Sequence, residues 1–319
     1  MPNLRSIFRS LAGTAVIVGG VVASGLAARD SLSSALHELA GGRRFPLVLA
    51  AACAPLVPGL TAAAWRSVLA SHGAPLAVSQ AWWCYGAGSL ANTFLPGRMG
   101  DALRIELCSR RIRHSRRRWL AAGVAASIGL AQSVVLGLVL GLESFAGALP
   151  LWTAVPSLAF PALVFTGGRV ALLRRPESRV ACLAGASRLS LAAWMRLFAC
   201  ICASATARLL VIASVLDALA VPHPLSAAVI ASGGLALGNS IPLAPGGAGV
   251  AAAAMAVALG QTGLHASTAV AAAVAFHAFE TGAGLAFGIG GWLALRLVSS
   301  AAGPVRRVTA ETALAASTP

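Results

Sequence analysis

Residues 92–101, NTFLPGRMGD, decide how the chain is read. A run of apolar residues stops there at a Pro-Gly, and charge follows at once with Arg98, Asp101, Arg104 and Glu106. A second break, NSIPLAPGGAG, occupies residues 239–249. Each has an Asn followed by Pro-Gly-x-x-Gly: Pro96, Gly97 and Gly100 in the first, Pro245, Gly246 and Gly249 in the second. The two prolines lie 149 residues apart in a chain of 319. Paired Gly/Pro interruptions at matching places in two halves point to a transporter-type binding site.

The rest of the composition says what kind of chain is interrupted. Hydrophobic residues make up 58% and charged residues 10%, with mean hydropathy +0.81. Soluble domains carry about 25% charged residues. Several apolar runs reach the ~20 residues that cross a hydrocarbon core. The expectation is an all-α polytopic membrane helix bundle, because the period-two alternation of a membrane barrel is missing. The net charge of +15 comes from arginine alone, with no lysine. These arginines cluster between apolar runs, as in cytoplasmic loops, which argues for lipid headgroups and against nucleic acid as the basic surface's partner. Cys53, Cys84, Cys108, Cys182, Cys200 and Cys202 lack zinc-site spacing and read as small apolar residues. No metal or cofactor is expected. Gly-Ala-Gly-Val-Ala-Ala at 247–252 fits the loose dinucleotide pattern but follows no soluble strand. Walker, HExxH, GxSxG and CxxC motifs are all missing, so the chain does not read as an enzyme.

In chain order, Arg5 and Arg9 precede an apolar stretch at 11–28. It reads as a retained first helix rather than a signal peptide, since no small-x-small cleavage site follows. Residues 29–44 form a polar connection, either a short interfacial helix or a loop. Spans follow at 45–70 (interrupted by Pro55 and Pro58), 75–96, 119–142, 151–168, 191–220, 225–260 and 266–297. Gly137 and Gly141 in the fourth of these predicted helices have the GxxxG spacing of close packing. The tail at 298–319 reads as disordered and cytoplasmic.

Arginine placement selects the topology. If the broken segments crossed fully, the arginine-rich loop at 98–118 would lie opposite the N-terminus, against the positive-inside rule. If each is a re-entrant hairpin, residues 98–118, 169–190 and both termini are cytoplasmic. Only Arg29, Arg43 and Arg44 then lie outside, with Arg196 and Arg208 within a helix. Each half then makes three crossings, and an odd number inverts the second half. The sequence therefore predicts one membrane domain, 1–297, built of two inverted repeats (about 5–145 and 150–297), with hairpin tips near the midplane.

Ionisable residues inside the bilayer are the site candidates. Arg98 and Arg104 would bind a phosphate through their planar donor forks, with Asp101 orienting Arg98 or accepting from an amino headgroup. The alternative is that Arg98 and Asp101 form a structural clasp. Asn92 and Asn239 either reach a ligand or cap loose backbone at the breaks. Gly246 and Gly247 permit tight turns beside a helix N-terminus that favours anions. Arg208 and Glu280 fall mid-helix and pair across the bundle, as a structural bond or as a gate. His277 stands one turn before Glu280 and is either packed or titrating.

The stretches AAAWRSVLASHGAPL, NTFLPGRMGDALR and NSIPLAPGGAGV resemble the transmembrane region of lysylphosphatidylglycerol synthases and related stand-alone flippase-like proteins. The resemblance covers residues 5–297 and implies a bacterial plasma-membrane protein of lipid-translocating type. Its partners would be lipids with anionic or phosphate-bearing headgroups. Two positions depart from the family pattern. Ala251 and Ala252 stand where a Glu usually follows the second motif, and His277 stands where an Arg is frequent. The soluble aminoacyl-transfer domain is not expected here, and with it lysyl transfer. The leading expectation is a flippase for a phospholipid or polyprenyl-phosphate-linked lipid. The alternative is an accessory subunit for a lipid-modifying or glycosylating enzyme, working with that enzyme or as a homo-oligomer.

Overall fold

A computed structural model describes residues 40–94, 99–112, 117–145, 189–240 and 248–301, with single positions at 37, 155, 159, 162, 163 and 166. The described residues are helical apart from short turns. The first helix at 11–28, the connection at 29–36, the span at 151–168 as a whole and the tail lie outside them. So do Arg98, Gly246 and Gly247 at the two breaks.

The helices are α1 (Arg44–Cys53), α2 (Leu56–Ser71), α3 (Val78–Phe94), α4 (Met99–Arg111), α5 (Arg117–Phe145), α6 (Leu191–Ala218), α7 (Pro224–Ser240), α8 (Ala248–Gly260) and α9 (Ala266–Ala301). Proline decides the α1–α2 break. Pro55 has no N–H to continue α1, whereas Pro58 sits in the first turn of α2, where a missing donor costs nothing. Ser190 caps α6 by accepting from the Ala193 N–H at 3.3 Å. Gly73, at φ +72°, ends α2 in the left-handed region, and Gly263, at φ +85°, turns the chain between α8 and α9. Four stretches are long and apolar enough to cross a membrane: Arg44–Ser71, Arg117–Leu142, Leu191–Ala218 and Ala266–Ala294. The chain is a multi-pass membrane protein.

Shifting the first half by 149 residues places Met99–Arg111 on Ala248–Gly260, which are the bounds of α4 and α8. Arg117–Phe145 lands on the first 29 residues of the α9 stretch. The packing repeats too. In each half the two short helices pack together, and the second short helix packs on the long helix after it. The long spans α1–α2 and α6 run antiparallel. Arg43 N–H donates to the Ala218 carbonyl at 2.9 Å, and Ser204 Oγ donates to the Val57 carbonyl at 3.1 Å. Residues early in α1–α2 therefore meet residues late in α6.

Two apolar cores flank this central pair. Trp65, Val68 and Leu69 of α2 pack with Cys84, Cys108, Val124 and Ile128, and with Leu197 and Ile201 from the first half of α6. Val211, Ile212, Val215 and Leu216 from its second half pack with Leu235, Met255, Leu259 and Phe276. The described cysteines are free thiols.

Small residues let the helices touch backbone to backbone. A Cβ on Gly86 of α3 would fall on the backbone N and Cα of Gly288 in α9. A Cβ on Gly291 would sit 2.5 Å from the Trp83 nitrogen, and one on Gly284 would sit 3.3 Å from Ser89 Cβ. Rising residue numbers in α3 thus meet falling numbers in α9, so this pair is antiparallel as well. Gly234 and Gly238 of α7 press on Ala254, Ala258 and Ala251 of α8 in the same way. The expected close contact at Gly141 does not form, because a Cβ there would meet nothing within 4 Å. GxxxG marks a flat helix surface, and the neighbour that uses it is decided by topology.

Candidate functional site

The first break brings α3 and α4 together at a glycine pair. A Cβ on Gly88 would lie 2.8 Å from the Gly100 carbonyl oxygen, and a Cβ on Gly100 would fall on the Gly88 carbonyl oxygen and on Asn92 Oδ1. With no side chains between them, the polar residues of the two helices meet directly. Asp101 Oδ1 accepts from Asn92 Nδ2 at 3.2 Å and from an Arg104 terminal nitrogen at 3.2 Å. The other terminal nitrogen of Arg104 donates to Ser89 Oγ at 3.4 Å. The guanidinium lies over the Tyr85 ring, 4.1 Å from its centroid. The Arg104 side chain is only 12% exposed, while Asp101 is about three times more open.

Two atoms of this cluster have no partner among the described residues: Arg104 Nε, a donor, and Asn92 Oδ1, an acceptor. A buried polar atom left unmatched costs about 1–3 kcal/mol. Asp101 also occupies the first turn of α4, where a carboxylate offsets the positive end of the helix dipole. The first turn of α8 has no acidic residue.

The second cluster joins α6 to α9. Arg208 donates to Glu280 Oε1 at 2.8 Å, and each side chain is about a third exposed (36% and 37%). His277 Nδ1 stands 3.8 Å from Glu280 Oε2, too far for a hydrogen bond, and its buried Nε2 has no partner among the described residues. The pairing expected from the mid-helix positions of Arg208 and Glu280 is therefore present. Replacing Arg208 with Ala leaves the Glu280 carboxylate unpaired within a span. The expected loss is about 2 kcal/mol, below the ~3–5 for a fully buried pair because both groups are partly open. Thermal unfolding in detergent checks this, and the Arg208→Met/Glu280→Gln double variant should recover most of the loss.

The two clusters share a depth. Gly284 touches Ser89, and Glu280 is one turn further along α9, about 6 Å away at 1.5 Å per residue. That turn runs in the direction in which α3 advances from Ser89 to Asn92. Asn239 is half-buried at the penultimate position of α7. Asn92, Asp101 and Arg104 thus form one cluster and Arg208, Glu280 and His277 another. The Asn92 side chain bonds Asp101 across the break. Tyr85 and Ser89 were not anticipated. The available signal was their spacing with Asn92, which places all three on one face of α3.

Near the basic end of this half, Glu106 ties α4 to α5. It accepts from Arg110 at 3.0 Å and pairs with Arg118 at 2.9 Å. The hydrogen bond from Arg110, then that from Arg118, holds its carboxyl below the usual carboxylate range. The bond persists at neutral pH and is lost only as pH falls through that lowered value.

The family model described as the lysylphosphatidylglycerol synthase TM region matches residues 11–288. No curated protein matches the chain. The match marks a membrane protein connected with lipids.

Proposed function

We propose that this chain, which belongs to the lysylphosphatidylglycerol synthase transmembrane-region family, is a non-enzymatic translocator of a phosphate-bearing membrane lipid. The observation that carries the reading is the Asn92–Asp101–Arg104 cluster between two short helices. It holds a donor, Arg104 Nε, and an acceptor, Asn92 Oδ1, that have no partner among the described residues. A phosphate oxygen can accept from Arg104, and a headgroup hydroxyl or amine can donate to Asn92 Oδ1. An arriving phosphate would compete with Asp101 for Arg104, so the resting ion pair keeps the arginine neutralised until the lipid replaces the carboxylate.

The helix lengths support re-entrant hairpins. The 17 residues of α3 rise about 26 Å and the 13 of α4 about 20 Å, both short of a ~30 Å core. The antiparallel contact of α1–α2 with α6 is the one an inverted pair of repeats requires. In this reading the helix ends at both breaks, with Gly246 and Gly247 leading into α8, meet near the midplane of a bacterial plasma membrane. Both termini are cytoplasmic. Arg208, Glu280 and His277 line the same cavity at that depth, and repeat rocking exposes it to each leaflet in turn.

The test uses purified protein in liposomes, following headgroup-labelled phospholipid and polyprenyl-phosphate probes between leaflets. Movement faster than in protein-free liposomes is expected. Failure of every probe class to move would replace this reading with the accessory-subunit one. That second reading has its own observation: Ala251 and Ala252, where the family usually carries Glu, belong to the apolar core around α7 and α8.

A further inference from the structure

We propose that a groove between α2, α3 and α9 binds one anionic phospholipid, with an acyl chain in the groove and the phosphate on Arg66. The groove encloses about 380 Å³, within the ~300–1,000 Å³ of ligand sites. Three features of the sequence build it. The break at Pro55 interrupts the wall of the first span. Gly59 leaves room for the Phe287 ring, whose tip lies 3.0 Å from where a glycine Cβ would stand. Trp82 meets Phe287 edge-on, with centroids 5.1 Å apart, and the two rings line the slot together.

The lining is apolar, from Leu56, Leu60, Trp82 and Phe287, except at one end, where Arg66 enters. Arg66 is exposed and has no ion-pair partner among the described residues. Leu56 and Trp82 are open at the groove's mouth. From Pro55 to Arg66 the helical rise is about 16 Å, so the groove offers a long apolar slot ending in a single cation. That is the polarity of a phospholipid, a chain followed by a phosphate, and a guanidinium fork fits the phosphate. A second copy of this chain is the poorer occupant, since it would bring a molecule of net charge +15 to a basic edge.

The site is distinct from the Arg104 cluster but shares α3 with it. Trp82, Tyr85, Ser89 and Asn92 follow one face of that helix, from the groove to the polar cluster. Occupancy does not depend on translocation, so the two readings fail separately.

Trp82 reports occupancy directly. The full chain is placed in phosphatidylcholine vesicles containing a rising fraction of brominated-chain phosphatidylglycerol or brominated-chain phosphatidylcholine. The Trp82 signal is the difference between the native chain and Trp82→Phe. Brominated phosphatidylglycerol should quench it half-maximally at about fivefold lower mole fraction, the factor one arginine near a bilayer surface contributes toward an anionic lipid. Arg66→Gln should erase that difference, and Gly59→Leu, which fills the slot, should remove the saturable quenching. Equal quenching by both lipids, or an unchanged preference in Arg66→Gln, would overturn the proposal. If Trp82→Phe does not fold, native mass spectrometry decides between the same outcomes. One phosphatidylglycerol retained by the native chain and lost in Arg66→Gln supports the site, and equal retention overturns it.

Discussion

Gly86→Val is expected to lower the melting temperature in detergent by roughly 5–10 °C, corresponding to about 3 kcal/mol for a chain of this size. The reason is the neighbour. The added Cβ falls on the backbone N and Cα of Gly288 and lies 2.7 Å from the Phe287 carbonyl carbon. A side chain can rotate away from such an intrusion, but a helix backbone cannot. The α3–α9 pair would have to separate, and with it the contact of Gly284 with Ser89 and of Gly291 with Trp83. Gly290→Val is the control, since it places the same branched side chain in α9 where a Cβ meets nothing within 4 Å. Equal melting temperatures for the two variants would show that the α3–α9 approach does not limit stability.

Arg104→Gln is expected to slow lipid movement at least tenfold, about 1.4 kcal/mol of barrier. Gln keeps part of the side chain's length but loses the charge that would hold a phosphate. Asp101→Asn should slow movement as well and should also destabilise the protein, because it leaves the Arg104 guanidinium buried without its carboxylate. The double variant Arg104→Gln/Asp101→Asn separates a binding role from a structural clasp. A binding site predicts regained stability with movement still lost. A clasp predicts that both return. Leaflet-exchange rates in liposomes, set beside melting temperatures of the same preparations, distinguish the two.

The architecture was largely legible because the bilayer simplifies the code. Apolar runs gave α5, α6 and α9 nearly to the residue, and Pro55 marked the break between α1 and α2. The 149-residue offset carries α4 onto α8. Arg208 and Glu280 were legible as a pair because a charge inside an apolar helix needs a partner. Less was legible where geometry depends on what faces what. Gly100 stands in the first break, but the sequence does not say that it lets α4 approach Gly88, the approach that brings Arg104 to Tyr85 and Ser89. Likewise Gly137 and Gly141 have the same spacing as Gly234 and Gly238, yet at Gly141 the space is open, while both Gly234 and Gly238 touch a helix. Spacing describes one surface, whereas packing needs two.

The whole account rests on two hairpins entering from opposite faces toward one charged site. The most direct measurement is a pair of topology reporters, one inserted after Ser115 and one after Gln261. The account predicts a cytoplasmic signal from the first and an external signal from the second. Both reporters on the same side would contradict inverted hairpins and remove the shared midplane site.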